Sequence, residues 1–316
     1  MSDIPSQKAT PVDETTMTNL IDVVRKYVNE RLIPLEPKIS EEDKIPEEVV
    51  QEMRDLGLFG LTIPQEYGGI GLNTEQECRV VMELGRTSPA FRSIFGTNNG
   101  IGSQGIVMDG TNEQKSYYLP KLASGEIIGS FALTEPEAGS DAGSLQTKAT
   151  LEGDEYVLNG TKRYITNAPN AQLFTVFART DPSTNNSRGV SAFLVDSKLP
   201  GISLGQPYKK MGQQGAHVCD VVFENCRVPA AQILGGPEKI NQGFKSAMKT
   251  LDRGRIHISA LSVGCANRLI DLCLSYSLER KQFGQQIAEF QLLQGMIADS
   301  KTESYAAECM VLDTAK

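Results

Sequence analysis

The sequence of 316 residues predicts an α+β protein made of three successive domains. Apolar residues recur at helical spacing in residues 1–128 and again in residues 241–316. Between them, residues 129–240 alternate apolar and polar positions and are interrupted by turns rich in Gly, Pro, Asn and Ser. We therefore predict an N-terminal α-helical domain, a middle antiparallel β domain, either a barrel or two packed sheets, and an incomplete C-terminal α-helical bundle.

The first domain carries clear signals for helix starts and stops. After a frayed terminus of residues 1–16, one apolar face runs over residues 20–32 and a second lies after residue 46. The predicted stops are Pro34 and Gly57, and the predicted starts are Pro46, Ser88-Pro89 and two capping boxes, Thr74 with Glu77 and Thr111 with Gln114. We assign the apolar stripes of this domain to its core and expect no chemistry from them.

The middle domain should contain seven or eight short strands. Asn159-Gly160 is the strongest short hairpin signal in the chain, so we predict a turn there between two strands. The strand candidates are residues 131–133, 148–151, 156–158, 163–166, 173–178, 190–195, 202–204 and 218–224.

The third domain should consist of a long helix over residues 244–281 and a second helix from residue 290 onward. Residues 310–312 keep the helical period, and no stop signal precedes Lys316. We therefore expect the chain to be truncated at its C-terminus.

Charge and composition argue against several functional classes. The net charge is −8 and the pI is near 5.0, which disfavours non-specific nucleic-acid binding because that affinity rests on neutralising phosphates. Six scattered cysteines and two histidines form no metal-ligand pattern, so we expect reduced thiols and no metal. The sequence contains no run of about 18 apolar residues, so we predict no transmembrane helix. The terminus has neither a signal nor a transit pattern, so we expect a cytoplasmic protein, or a mitochondrial matrix protein in a eukaryote.

Two segments of the middle domain could form a ligand site. The first, TEPEAGSD at residues 134–141, combines hydroxyls at Thr134 and Ser140 with a glycine that lets a backbone approach closely. The second, GTKRYIT at residues 160–166, ends in an aromatic residue beside a hydroxyl. Together they could hold a planar, polar-edged ring with a phosphate tail. The alternative is a pair of hairpin edges with ordinary turn chemistry.

In order and spacing, these two segments resemble the paired flavin-binding signatures of the acyl-CoA dehydrogenases. Tyr164 stands where that family most often has Trp, so the expected stacking partner is smaller but still aromatic. The helical, β and helical order of the chain is also the layout of that family. The resemblance implies that FAD is bound by Phe131, Leu133, Thr134, Ser140, Tyr164, Ile165 and Thr166.

Two further segments extend the resemblance. Residues 279–284 match the family's Glu-Arg-x-x-Phe-Gly pattern, which implies that Arg280 reaches the flavin pyrophosphate of a neighbouring subunit and that Gln291 also contacts flavin. LDRGR at residues 251–255 resembles the family's substrate segment, which implies that Asp252, Arg255 and Ser140 line the acyl-CoA cavity. The alternatives are cations at a helix end and a solvated charged turn.

The acyl-CoA dehydrogenases use a glutamate to remove the substrate α-proton. Most members carry it in a segment that would follow Lys316, and a minority carry it at the position of Gly254. Glycine cannot act as a base. We therefore expect the general base beyond Lys316, no catalytic residue within this chain, and a fragment without activity.

The resemblance implies an FAD-dependent dehydrogenase that converts an acyl-CoA thioester to the trans-2-enoyl-CoA and passes its electrons to an electron-transfer flavoprotein. A homotetramer built as a dimer of dimers is expected, without nucleic-acid or membrane partners. Two alternatives stay open: a flavin-dependent oxidase or monooxygenase of the same fold, and a non-enzymatic DNA-binding relative. The negative net charge gives the DNA-binding alternative no support.

Overall fold

The computed structural model of the chain describes residues 12–184 and 186–316. The predicted frayed terminus lies outside the described residues as far as residue 11, and the first helix begins at Glu14. The chain forms two compact units, the first of residues 12, 39–72 and 93–254, the second of residues 13–38, 73–92 and 255–316.

The order of elements confirms the predicted fold class, with helices before and after a β sheet. The helices are α1 (Glu14–Tyr27), α2 (Ile33–Glu42), α3 (Glu47–Asp55), α4 (Thr74–Leu84), α5 (Pro89–Asn99), α6 (Gln104–Asp109), α7 (Asn112–Ser124), α8 (Gly243–Glu279) and α9 (Gln291–Ala315). The strands are β1 (Gly129–Ala132), β2 (Lys148–Glu152), β3 (Glu155–Thr166), β4 (Leu173–Arg179), β5 (Val190–Asp196), β6 (Ile202–Leu204), β7 (Val218–Pro229), β8 (Lys281–Gln282) and β9 (Gln285–Gln286).

Helices α1 and α2 form one continuous helical run that passes through two prolines. A π-helical segment, Val28–Leu32, joins them, and Pro34 and Pro37 both lie in α2. A proline lacks the backbone N–H, and its ring crowds the carbonyl four residues earlier. The wider π turn immediately before Pro34 relieves that crowding. The prediction that the helix ends at Pro34 is therefore wrong.

One capping-box prediction is confirmed and the other is wrong by one residue. Thr111 and Gln114 cap the start of α7 reciprocally, as predicted. Helix α4 is instead capped by Asn73, whose side-chain oxygen accepts a hydrogen bond from Gln76 N at 2.9 Å. Thr74 is then the first helical residue. Asn is as good an N-cap as Thr, so local spacing could not separate the two frames.

Seven strands of the middle region form one sheet in the order β1-β4-β2-β3-β7-β6, with β5 also paired to β4. The β1–β4 and β2–β4 pairs are parallel, and the other pairs are antiparallel. The predicted β domain is therefore present as a mixed sheet. All residues of β4 are buried, because this strand contributes side chains to two apolar clusters.

The predicted hairpin at Asn159-Gly160 is wrong. Both residues lie inside the single strand β3, and the turn between β2 and β3 is at Gly153-Asp154. The ladder between β3 and β7 shifts register next to Gly160. A Cβ atom at Gly160 would lie 2.5 Å from Thr147 Oγ1, so this glycine permits a close approach within the sheet.

In the second unit, helices α4 and α8 approach each other closely at two glycines. A Cβ atom at Gly264 would lie 2.0 Å from Met82 O, and one at Gly85 would lie 2.3 Å from Leu261 O. Only glycine leaves room for the facing carbonyl groups at these positions. We call this contact between α4 and α8 the helix crossing.

A polar network lies beside the helix crossing in the same unit. His257 Nδ1 lies 2.6 Å from Glu77 Oε1, and Arg92 Nε donates to His257 Nε2 at 2.7 Å. Because Nε2 accepts a hydrogen bond, the ring proton is on Nδ1 and is donated to Glu77. A neutral imidazole thus separates a carboxylate from a guanidinium. Burial lowers the pKa of Arg92 to about 10.

Helix α8 is apolar enough, over part of its length, to meet a simple criterion for a membrane span. An 18-residue window reaches a mean hydropathy of 1.3, and 22% of that window is buried within the protein. Helix α8 passes this criterion by length and composition only, and it contains no uninterrupted run of about 18 apolar residues. Within the second unit, however, Arg268 of α8 forms a two-point ion pair with Glu36 of α2. Such a pair is typical of a helix packed inside a protein.

Candidate functional site

The two predicted motif segments lie side by side in the first unit. Residues 130–135 and 162–166 run in opposite directions, and Arg163 N donates to Thr134 O at 2.8 Å. At the other end, the Ser130 hydroxyl donates to Thr166 O at 2.7 Å. We call these two segments together the motif ribbon. Sequence spacing alone did not establish that they are adjacent.

The predicted flavin residues of the ribbon divide into buried and accessible side chains. Leu133 and Ile165 are buried, so only their backbone groups could reach a ligand. Thr134 and Thr166 are half-buried, and Tyr164 is 59% exposed. Phe131 is also half-buried, with its ring centroid 4.7 Å from that of Phe177. The ribbon therefore presents hydroxyls and one aromatic ring at its surface.

Three hydroxyl groups predicted to bind flavin have no hydrogen-bond partner among the described residues. Across residues 12–184 and 186–316, the hydroxyls of Thr134, Ser140 and Thr166 make no hydrogen bond. Hydroxyls at such positions are satisfied by solvent or by a ligand. Their availability is what a polar-edged cofactor requires.

Tyr164 has a backbone conformation that is unusual for a tyrosine. Its φ is +59°, in the left-handed region that L-residues rarely adopt. Its ring centroid lies 5.0 Å from that of Tyr208. The Tyr208 hydroxyl donates to Asp220, which also pairs with Arg163. This hydrogen bond to Asp220 raises the pKa of Tyr208. Strained residues of this kind occur often at functional sites.

Two residues of the ribbon, Lys162 and Glu135, form a buried ion pair. Lys162 is fully buried, and its Nζ donates to Glu135 Oε1 at 2.8 Å and to Leu133 O at 3.1 Å. Glu135 also accepts hydrogen bonds from the backbone N–H groups of Gln146 and Thr147. Sequence analysis missed this pair, although both residues are in the quoted motifs.

The pKa values of the pair are consistent with both groups being charged at neutral pH. Burial lowers the pKa of Lys162 to about 8, although Glu135 opposes that shift. Burial on its own would raise the pKa of Glu135. The charge of Lys162 and the hydrogen bonds outweigh that effect and place the pKa below its ordinary value.

A second buried cation supports the loop that carries Ser140. The Arg179 guanidinium donates to the backbone carbonyls of Gly143, Leu145, Thr184 and Asn186. These contacts hold two loops of the first unit at the end of β4. Ser140 itself is exposed. Nothing in the sequence around Arg179 indicated that its side chain binds the backbone carbonyls of two loops.

In the second unit, a short hairpin follows α8 and carries the predicted cationic residue. Strands β8 and β9 pair around a turn at Phe283 and Gly284, both with positive φ. Arg280, immediately before β8, is exposed and its side chain forms no ion pair with another described residue. Gln291, at the start of α9, is also exposed. Both side chains are therefore available to a ligand.

The predicted substrate residues lie on α8 where the chain passes from one compact unit to the other. Asp252 belongs to the first unit and Arg255 to the second, and both are exposed. Their role stays a prediction. At Gly254, between them, an added Cβ atom would lie 3.7 Å from Ile101, its one neighbour within 4 Å in the described part of the chain.

Comparison with known families agrees with this arrangement. Three family models match in chain order: acyl-CoA dehydrogenase N-terminal domain over residues 15–126, middle domain over 130–226 and C-terminal domain over 241–316. This chain belongs to the acyl-CoA dehydrogenase family. It is an FAD-dependent oxidoreductase.

Similar proteins include both dehydrogenases and reductases. A probable acyl-CoA dehydrogenase of Bacillus subtilis is 41% identical over 93% of this chain and 77% of its own length. Acryloyl-CoA reductase (NADH) of Anaerotignum propionicum is 42% identical over 92% of this chain and 73% of its own length.

Solved structures of similar fold and sequence include members of the same family. A chain from the structure of an electron transferring flavoprotein of Acidaminococcus fermentans has a TM-score of 0.91 and 37% identity, covering 96% of this chain and 79% of that one. An acyl-CoA dehydrogenase of Bacillus anthracis complexed with FAD has a TM-score of 0.88 and 33% identity, covering 97% and 52%. The motif ribbon fits FAD, since it offers an exposed aromatic ring and the hydroxyls of Thr134 and Thr166, which form no hydrogen bond with another described residue.

Proposed function

We propose that this family member removes two hydrogens from the α and β carbons of an acyl-CoA thioester and yields the trans-2-enoyl-CoA. The observation that supports this most directly is the motif ribbon, which carries an exposed Tyr164 and the hydroxyls of Thr134 and Thr166, neither of which bonds another described residue. FAD, when bound, accepts a hydride equivalent from the substrate β carbon. The residues of this chain bind and orient the reactants.

Each of the predicted flavin residues in and after the ribbon segments has a proposed part in flavin binding. The Thr134, Ser140 and Thr166 hydroxyls donate to or accept from the polar edge and phosphates of the cofactor. Tyr164 lies against its ring system. Leu133 and Ile165 contribute backbone groups because their side chains are buried, and Phe131 supplies apolar contact. Together these contacts account for a bound flavin without a dinucleotide-binding glycine motif.

Arg280 and Gln291 are proposed to bind the flavin of a neighbouring subunit in a homotetramer. A guanidinium suits a pyrophosphate because it donates two parallel hydrogen bonds. We also propose the functional division into residues 1–128, 129–240 and 241–316. We further propose that the protein is cytoplasmic, or lies in the mitochondrial matrix if its source is a eukaryote.

On the substrate side, Asp252, Arg255 and Ser140 are proposed to line the acyl-CoA cavity. Hydrogen bonds to the thioester carbonyl would stabilise negative charge as the α-proton leaves. Gly254 has no side chain to serve as the base, and the prediction that the base follows Lys316 stays open. The proposed electron acceptor is an electron-transfer flavoprotein, consistent with the description of one similar solved structure.

The test is an anaerobic titration of the protein expressed from its complete reading frame, with saturated straight-chain and branched acyl-CoA thioesters. We expect the visible flavin absorbance to bleach and one equivalent of enoyl-CoA to form. Bound flavin that no thioester bleaches would overturn the proposal. Rapid reoxidation by oxygen with peroxide release would instead indicate the oxidase alternative.

A second candidate is the reverse reaction, reduction of an enoyl-CoA. The similarity to acryloyl-CoA reductase supports it, because the same site serves either direction. The flavin potential and the electron partner decide the direction. Turnover of acryloyl-CoA with NADH and a partner flavoprotein, faster than saturated acyl-CoA oxidation, would favour this candidate.

Arg280 offers a direct check of the phosphate contact. We expect Arg280→Ala to lower the FAD content of the purified protein more than Arg280→Lys does, because Lys keeps the charge but loses the two-point geometry. Absorbance ratios of flavin to protein measure the content. Equal FAD content in both variants and wild type would count against this role.

A further inference from the structure

The Lys162–Glu135 ion pair adjoins an irregularity in strand β3. The ladder with β7 pairs Lys162 with Val221 and Ile165 with Cys219, so β3 has one more residue than β7 over this interval. A bulge of this kind leaves one residue of β3 unpaired and bends the strand. Where one face of a strand is buried, a slip by one residue moves every side chain to the other face. Residues 163–166, which follow Lys162, include Tyr164 and Thr166, two of the accessible side chains of the motif ribbon.

A gain in folding stability does not by itself explain why Lys162 and Glu135 are buried as an ion pair. Burying two charges incurs a large desolvation cost, and apolar residues of similar volume are often at least as stable in their place. What the pair provides is discrimination between registers. Lys162 is 0% exposed and reaches Glu135 and Leu133 O in the observed register, whereas a slip would leave a buried charge without its partner.

The contacts of the pair are arranged to hold both halves of the ribbon. Lys162 is on β3, while Leu133 O and Glu135 belong to the segment that follows β1. Backbone N–H groups of residues 146 and 147 fix the other face of the carboxylate. Thr134, between the two residues that Lys162 binds, accepts from Arg163 N. Moving the lysine would therefore move Thr134 relative to Thr166.

We propose that the Lys162–Glu135 ion pair fixes the register of β3 against residues 133–135 and thereby positions Thr134, Tyr164 and Thr166 for flavin binding. Both members are positioning residues, since neither is exposed enough to touch a ligand. The inference rests on the proposed flavin site.

The test compares two variants with a matched control in the full chain. Lys162→Met keeps the side-chain length without the charge, and Lys162→Met/Glu135→Gln removes both charges. Arg227→Met is the control, because Arg227 pairs with Glu152 and Glu155 at an exposed site on the same sheet. Hydrogen exchange at the Arg163 amide reports the register without flavin. Fluorescence titration gives the Kd for FAD.

We expect Lys162→Met to raise the Arg163 exchange rate and the FAD Kd by roughly tenfold or more, and Arg227→Met to change neither. The double variant should regain thermal stability, while its Arg163 exchange rate and its FAD Kd stay raised. It allows both measurements even if Lys162→Met alone does not fold. A wild-type exchange rate or a wild-type FAD Kd in the double variant would overturn the inference. If the wild-type protein binds no FAD, the proposed function fails, and Arg163 exchange alone decides the register.

Discussion

The motif ribbon and the helix crossing both bury charged side chains, but the charges have different partners. In the ribbon, Lys162 contacts Glu135 directly, and both also bind main-chain groups of segments that present the site. Beside the crossing, a neutral His257 separates Glu77 from Arg92. The ribbon charges hold the main chain of the candidate site, whereas the network beside the crossing links side chains of α4, α5 and α8. Variants should therefore separate flavin affinity from stability.

The largest expected effect is on stability at the helix crossing. His257→Leu removes both hydrogen bonds of the network, so we expect the free energy of unfolding to fall by about 3–5 kcal/mol. The FAD Kd of the folded variant should stay at the wild-type value. Urea unfolding and FAD titration measure the two quantities.

The control for this variant is His217→Leu, at the other histidine of the chain. Its ring is partly exposed and, within residues 12–184 and 186–316, bonds only Asp43. A loss of about 1 kcal/mol is expected there. Similar losses of unfolding free energy in both variants would show that the Glu77–His257–Arg92 network stabilises the protein no more than a partly exposed histidine does.

The next effect distinguishes two glycines of the same helix. Gly264→Ala places a methyl group 2.0 Å from Met82 O, so we expect a loss of about 2 kcal/mol from overpacking. Gly254→Ala meets only Ile101 at 3.7 Å and should gain about 0.5–1 kcal/mol from helix propensity. Thermal midpoints of both variants give the comparison. Changes of the same sign would contradict the assignment of the close approach to Gly264.

Acid should weaken the ribbon through Glu135. Its pKa lies below the ordinary 4.5 in the folded protein, because Lys162 and hydrogen bonds outweigh the effect of burial. The stabilisation is therefore complete above pH 4.5 and is lost as the pH falls through the folded pKa, by about 1.4 kcal/mol for each unit of lowering.

Urea unfolding at about pH 5 and about pH 3 measures this loss. The Lys162→Met/Glu135→Gln variant, which lacks this carboxyl group, should show a shallower dependence on pH. An identical dependence in the variant and the wild type would assign the acid sensitivity to other carboxyl groups, among them Glu36, whose pKa is also lowered.

The smallest effect concerns strain at Tyr164. Because its φ is +59° and its ring is 59% exposed, Tyr164→Gly should raise the stability of the flavin-free protein by up to about 1 kcal/mol. The same variant should bind FAD more weakly, since it loses the aromatic contact. Thermal midpoints with and without FAD test both statements. A flavin-free protein that is less stable than wild type would show that the Tyr208 contact outweighs the strain.

The sequence predicted a candidate flavin site but not the contacts that support it. The residues proposed to face the flavin could be named before the structure, because their hydroxyls and aromatic ring lie in two short segments that resemble the signatures of the family. Lys162 and Arg179 resemble ordinary surface cations in a sequence, and only their burial reveals that they hold loops in place. Asp220 and Tyr208 likewise gained meaning only from their contact with Arg163 and Tyr164.

By itself, the sequence determined the helices, most strands and the order of the helical and β regions. These depend on periodicity and on caps three or four residues apart, which are local properties. Only the tertiary structure decided that Asn159-Gly160 lies inside a strand, because pairing with β2 and β7 on both sides overrides its preference for a turn. It also decided the partners of the buried charges, which are 27 residues apart for Lys162 and Glu135 and 180 apart for His257 and Glu77. Contacts at such separations depend on how the elements pack, and no local pattern specifies them.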